Sequence, residues 1–131
     1  EYFFIQEMVK NVIFSGVVLT RNLVNYAKCI NVNYYDGNNT EAVTSGKNKT
    51  KSLLFFENEK FKIPKKFLNL YHSVNEIISL TKEKDLDIEF AVDKNKTVLI
   101  LQVRKLIVPN NKHNIDINYK KIFNNIEKKN K

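Results

Sequence analysis

Two short alternating segments, Asp87-Ile88-Glu89-Phe90-Ala91-Val92 and Thr97-Val98-Leu99-Ile100-Leu101-Gln102-Val103-Arg104, constrain this chain more than any other feature. Alternation with period two is the pattern of a strand with one buried face. The linker between them, Asp93-Lys94-Asn95-Lys96, is polar and far too short for a crossover, so the strands form an antiparallel hairpin. If Val92 pairs with Thr97, then Ile88, Phe90 and Val92 share a face with Leu99, Leu101 and Val103. The same register collects Asp87, Glu89, Gln102 and Arg104 on the other face. A slip of one residue would drive Gln102 and Arg104 into the apolar layer, which burial disfavours. Carboxylate oxygens suit Mg²⁺, and a guanidinium fork suits phosphate oxygens. Spacing alone more often marks a solvated hairpin face carrying a weak ion pair.

The remaining pattern predicts an α+β fold: a mostly antiparallel sheet packed by one long helix, plus a C-terminal helix. Residues 2–9, 13–20 and 27–35 read as strands, and Ser52-Leu53-Leu54-Phe55-Phe56 as a short apolar one. Residues 36–51, rich in Asn, Gly, Thr and Ser, read as a loop. Pro64 stands where a helix start tolerates it. Behind it, Phe67, Leu70, Tyr71, Val74, Ile77 and Ile78 recur at three- and four-residue spacing, which predicts an amphipathic helix over about 65–82 that packs on the sheet. Pro109 and Asn110-Asn111 divide the chain into a domain over 1–108 and a tail over 109–131. In the tail, Ile115, Tyr119, Ile122, Phe123 and Ile126 mark a basic helix near 116–128.

With 131 residues the chain fits one domain with a modest core. No apolar run approaches the roughly 20 residues of a membrane span, and no secretory signal pattern occurs. The single cysteine, Cys29, cannot form an internal disulfide and reads as a small buried hydrophobe, so a cytoplasmic setting is expected. His72 reads as a helix-surface residue and His113 as a tail residue, and neither has a second ligand at zinc spacing. The formal net charge of +8 raises a basic nucleic-acid-binding domain as an alternative. No helix-turn-helix, RNA-recognition or zinc motif accompanies that charge, and nucleic acid is not the expected partner.

The hairpin also resembles the end of the ATP-grasp nucleotide-binding domain of the pyruvate phosphate dikinase and phosphoenolpyruvate synthase family. There an Asp-Ile-Glu-aromatic-Ala strand is followed by a turn and a Leu-Gln-x-Arg strand. Phe4-Ile5-Gln6-Glu7-Met8-Val9 is similar to that family's Val-Gln-x-Met-Val strand. Ser15-Gly16-Val17-Val18-Leu19-Thr20-Arg21-Asn22 resembles its Ser-Gly-Val-x-Phe-Thr-Arg-Asp-Pro segment, and Thr40-Glu41-Ala42-Val43-Thr44-Ser45-Gly46 its Glu-x-Val-Val-Ser-Gly stretch. The blocks occur in the family's order between residues 4 and 104.

The resemblance implies a partial ATP-grasp lobe with ATP and Mg²⁺ as cofactors. In it Glu89 and Gln102 match the metal-binding positions, and Arg104 matches the arginine that clamps the terminal phosphates and serves catalysis. Gln6 matches a glutamine lining the nucleotide cleft, and Asp87 a partner that orients Glu89 or Arg104. The implied parent is an ATP-dependent phosphotransferase that passes phosphoryl to a histidine on another domain. Its partners within the parent chain are an upstream ATP-grasp lobe and a downstream phosphohistidine domain. Starting at Glu1 and lacking those parts, the chain is expected to be a fragment that is inactive alone. The family's Arg-Pro is Arg104-Lys105 here, and its glycine-rich loop is Tyr35-Asp36-Gly37-Asn38-Asn39-Thr40-Glu41. These departures leave a diverged non-catalytic nucleotide-binding or regulatory module as the alternative.

Overall fold

The computed structural model describes residue 3 and residues 5–37, 50–56 and 63–108. The segment 40–46, His113 and the helix expected near 116–128 lie outside them. Five strands form one antiparallel sheet: β1 (Val12–Arg21), β2 (Lys28–Asp36), β3 (Lys51–Phe55), β4 (Leu86–Asp93) and β5 (Val98–Lys105). Their order is β3-β2-β1-β4-β5, with every pairing antiparallel. The helix α1 (Leu68–Thr81) links β3 to β4 across one face of the sheet. A 3₁₀ turn, Lys65–Phe67, precedes it directly behind Pro64. Left-handed Lys82 ends α1, its N–H bonding to the Ile78 carbonyl at 3.0 Å.

Alternation decides which side of the sheet the helix covers. Phe14 and Val18 of β1, Val32 and Tyr34 of β2, and Ile88, Phe90 and Val92 of β4 point to the same side. Against them pack Phe67, Leu70, Tyr71 and Val74, with half-buried Ile77 and Ile78 at the margin. This is the expected helix face. An aromatic cluster closes the centre: Phe14 meets Phe67 at 5.2 Å and Phe90 at 5.9 Å, and Tyr34 meets Phe67 at 4.9 Å, all edge-on. Such pairs contribute about 0.5–1.5 kcal/mol each beyond their area. The Lys66 ammonium sits 4.4 Å from the Phe14 ring centroid and is ion-paired with Asp36, which fastens the helix entry to β2.

Gly16 is required by close approach. A Cβ there would lie 2.1 Å from the Asn33 carbonyl oxygen and 2.9 Å from Tyr34 Cα.

Two expectations need correction. Of the strand expected over 2–9, residues 3 and 5–9 are described and form no strand, and Ile5 and Met8 are exposed. A strand needs a partner ladder, and β-propensity alone does not supply one.

The second correction concerns the hairpin. Val92 pairs with Val98, not Thr97. Asp93 Oδ1 accepts the N–H groups of Asn95 at 2.8 Å and Thr97 at 2.9 Å. With Lys96 left-handed at φ 64, this closes a loop of Lys94, Asn95 and Lys96, one residue shorter than expected. Val98 and Ile100, rather than Leu99 and Leu101, then pack on the core, and Leu99 faces the other side beside Ala91. A β-bulge at Leu101 restores the parity, so that Gln102 stands opposite Glu89 and Arg104 opposite Asp87.

Candidate functional site

The face of the sheet away from α1 carries two cross-strand rows. One runs Ser52, Asn33, Val17, Glu89, Gln102, and the other Leu54, Asn31, Leu19, Asp87, Arg104. The first row starts at polar Ser52 and Asn33 and the second at Leu54 and Asn31, and each passes through a half-buried aliphatic residue of β1 to the charged β4–β5 hairpin. Leu101 is therefore a determinant of the site although its own side chain has no place in it: without its bulge, Gln102 and Arg104 would face the core.

Arg104 Nη2 lies 2.9 Å from Asp87 Oδ2 and 3.5 Å from Glu89 Oε1. The exposures are unequal: the Arg104 side chain is 55% accessible, against 17% for Asp87 and 25% for Glu89. The acids are thus held by the sheet, while the guanidinium is reachable from solvent. The other oxygen of Asp87, Oδ1, is buried with no hydrogen-bond partner among the described residues. A buried carboxylate oxygen in that state favours a cation or a donor beside it.

The donor set fits Mg²⁺. The Glu89 carboxylate, the Gln102 amide oxygen and Asp87 Oδ1 are hard oxygen ligands on adjacent strands. Among the described residues no group of three or more His, Cys, Asp or Glu side chains could hold a metal ion.

Of the four residues expected at the site, Glu89, Gln102 and Arg104 come together on this face. Gln6 is exposed and lines an open groove of about 470 Å³ with Met8 and with Asp93, Leu99 and Leu101 of the same hairpin. Lys105, where the resembled pattern has Pro, continues β5 opposite Leu86 and pairs with Glu83 at 2.9 Å.

Other residues set the position of β4, and their roles were not legible in the sequence. Thr20 Oγ1 donates to the Lys84 carbonyl at 2.8 Å and accepts the Leu86 N–H at 2.7 Å. Arg21, ion-paired with Asp85, also donates to the Tyr26 carbonyl at 2.8 Å. These contacts tie the end of β1 to the start of β4, next to Asp87. Nothing in a single sequence marks pairs separated by 64 to 66 positions.

Cys29 is buried, and that burial pushes its thiol up to about 11, despite a backbone hydrogen bond at Asn22 and the nearby Arg21 charge. It is a packing residue. His72 lies exposed on α1. No helix among the described residues is long and apolar enough to cross a membrane.

No protein-family model matches the chain, and no curated protein or solved structure matches it.

Proposed function

We propose that the face bearing Glu89, Gln102 and Arg104 is the metal- and phosphate-binding side of an ATP-grasp nucleotide domain. The parent is then a phosphotransferase like phosphoenolpyruvate synthase or pyruvate phosphate dikinase. The observation that carries this reading is the cross-strand arrangement: an acid opposite an amide, and an acid opposite a guanidinium, on a face the helix leaves uncovered. The order of the resembling motifs along the chain adds to it.

In this reading Glu89 and the Gln102 amide oxygen hold Mg²⁺, whose charge offsets that of the phosphates. Arg104 exchanges its longer contact with Glu89 for phosphate oxygens, and its accessibility permits that swing. Asp87 holds Arg104 in place until then and keeps it aimed afterwards. Phosphoryl transfer asks little covalent help of a protein and much charge neutralisation and alignment, which this set of side chains supplies.

Titration with ATP, with and without Mg²⁺, tests binding by the chain. Binding is expected to require Mg²⁺ and to fail in Glu89→Gln. In the parent enzyme, Arg104→Ala is expected to slow formation of the phosphohistidine about 10²-fold or more while leaving the fold intact. Undiminished phosphohistidine formation would overturn the assignment. Mg-dependent ATP binding without any phosphohistidine would mark the diverged, non-catalytic module.

A further inference from the structure

A second concavity lies on the opposite side of the sheet, between α1 and the adjoining ends of β1 and β2, with a volume of about 140 Å³. Tyr71, Asn75 and Ile78 reach it from successive turns of one helix face, and Ile30 lines it from β2. Lys28 and Lys84 also line it, with Thr20 and Cys29 on its sheet side.

Its chemistry is not that of an ordinary packing gap. Ile30 and Ile78 supply apolar walls. Tyr71 lines the pocket, and although the residue is only 6% exposed, its hydroxyl makes no hydrogen bond among the described residues and is left to solvent or an occupant. The Asn75 amide is held by its own N–H donating to the Tyr71 carbonyl at 2.7 Å. Lys28 and Lys84 are exposed and make no ion pair among the described residues. The neighbouring acids are already engaged, Asp85 by Arg21 and Glu83 by Lys105. Among the described residues, two lysines without an ion pair therefore stand beside a pocket with apolar walls and a phenol hydroxyl. Its volume is close to that of cavities of roughly 150 Å³ that admit benzene.

We propose that this pocket binds a small organic carboxylate with a flat or branched apolar body. The body lies between Ile30 and Ile78, and the carboxylate takes Lys28, Lys84 and the Tyr71 hydroxyl. The site is independent of the Mg-ATP reading, from which it is separated by the thickness of the sheet.

The test is an NMR titration of the 131-residue chain with benzoate, its neutral isostere benzamide, and inorganic phosphate. Benzoate is expected to shift the amide resonances of Tyr71, Asn75, Ile78 and Lys84 saturably. Benzamide should bind several-fold more weakly, and phosphate should not saturate these signals. Replacing both lysines, Lys28→Ala with Lys84→Ala, should weaken benzoate binding about tenfold without altering the rest of the spectrum. Ile78→Phe, which fills the pocket, should abolish it. Any of three results overturns the proposal: no saturable benzoate shifts at these residues, equal affinity for benzoate and benzamide, or phosphate binding as tightly as benzoate.

Discussion

Thr20→Val should cost this chain a large share of its stability, although the two side chains are nearly the same shape. The hydroxyl accepts the Leu86 N–H at 2.7 Å and donates to the Lys84 carbonyl at 2.8 Å, with the Leu86 carbonyl further off at 3.3 Å. Thr20 and Leu86 are both buried, and a valine offers the Leu86 N–H no acceptor. An unsatisfied buried N–H costs about 1–3 kcal/mol, and the lost hydrogen bond itself about 1 kcal/mol. Together the expected loss is about 2–4 kcal/mol, against the ~5–15 kcal/mol that usually holds a domain together. With a urea slope of about 2 kcal/mol per molar, the unfolding midpoint should fall by about 1–2 M. Thr20→Ser separates the hydroxyl from the packing, because it removes only a methyl group and should cost about 1 kcal/mol. Amide exchange localises the effect: in the valine variant, Leu86 and Asp87 should lose protection before the centre of β4. The reasoning fails if valine stays within about 0.5 kcal/mol of the parent chain, below the cost of an orphaned donor. It fails equally if serine is as damaging as valine. The consequence extends to the candidate site, since the same contacts hold the start of the strand that presents Asp87 and Glu89.

Gly16→Ala should destabilise by about 2–3 kcal/mol or prevent folding, because the added methyl group meets backbone rather than a movable side chain; a urea midpoint unchanged from the parent would contradict the close approach of β1 and β2. Asp36 is held below its ordinary value of 3.8 by hydrogen bonds from Lys51 and Lys66. The stabilisation it gives is therefore present at neutral pH and disappears as the pH falls through that lowered value. Thermal midpoints of the parent and Asp36→Asn should differ by a constant, small amount above about pH 5 and converge only once the pH has fallen below the lowered value, the exposed pair being worth about 1 kcal/mol or less. A difference that persists at low pH would show that the charge is not its source.

The helix was legible because its apolar positions repeat at three and four residues over several turns, and the same face is buried. β4 was legible because Asp87 to Val92 alternates almost without interruption. The polar face of the hairpin follows from Asp87, Glu89, Gln102 and Arg104, whose charge or polarity bars them from the core. The Val98 to Leu101 run is different: four consecutive apolar residues have no parity, and either pair could be buried. The Asp93 carboxylate and the bulge at Leu101 made that choice. Residues 5–9 have strand-like composition but no ladder partner, and composition cannot provide one.

The amino-acid order thus determined by itself which segments have a buried side, because periodicity is local and needs only neighbouring residues. Tertiary structure decided which residues meet across the sheet, how Thr20 and Arg21 clamp β4, and where a pocket opens beneath α1. Those outcomes depend on contacts between residues far apart in the chain, formed only when loop closure, packing and hydrogen bonding are satisfied together.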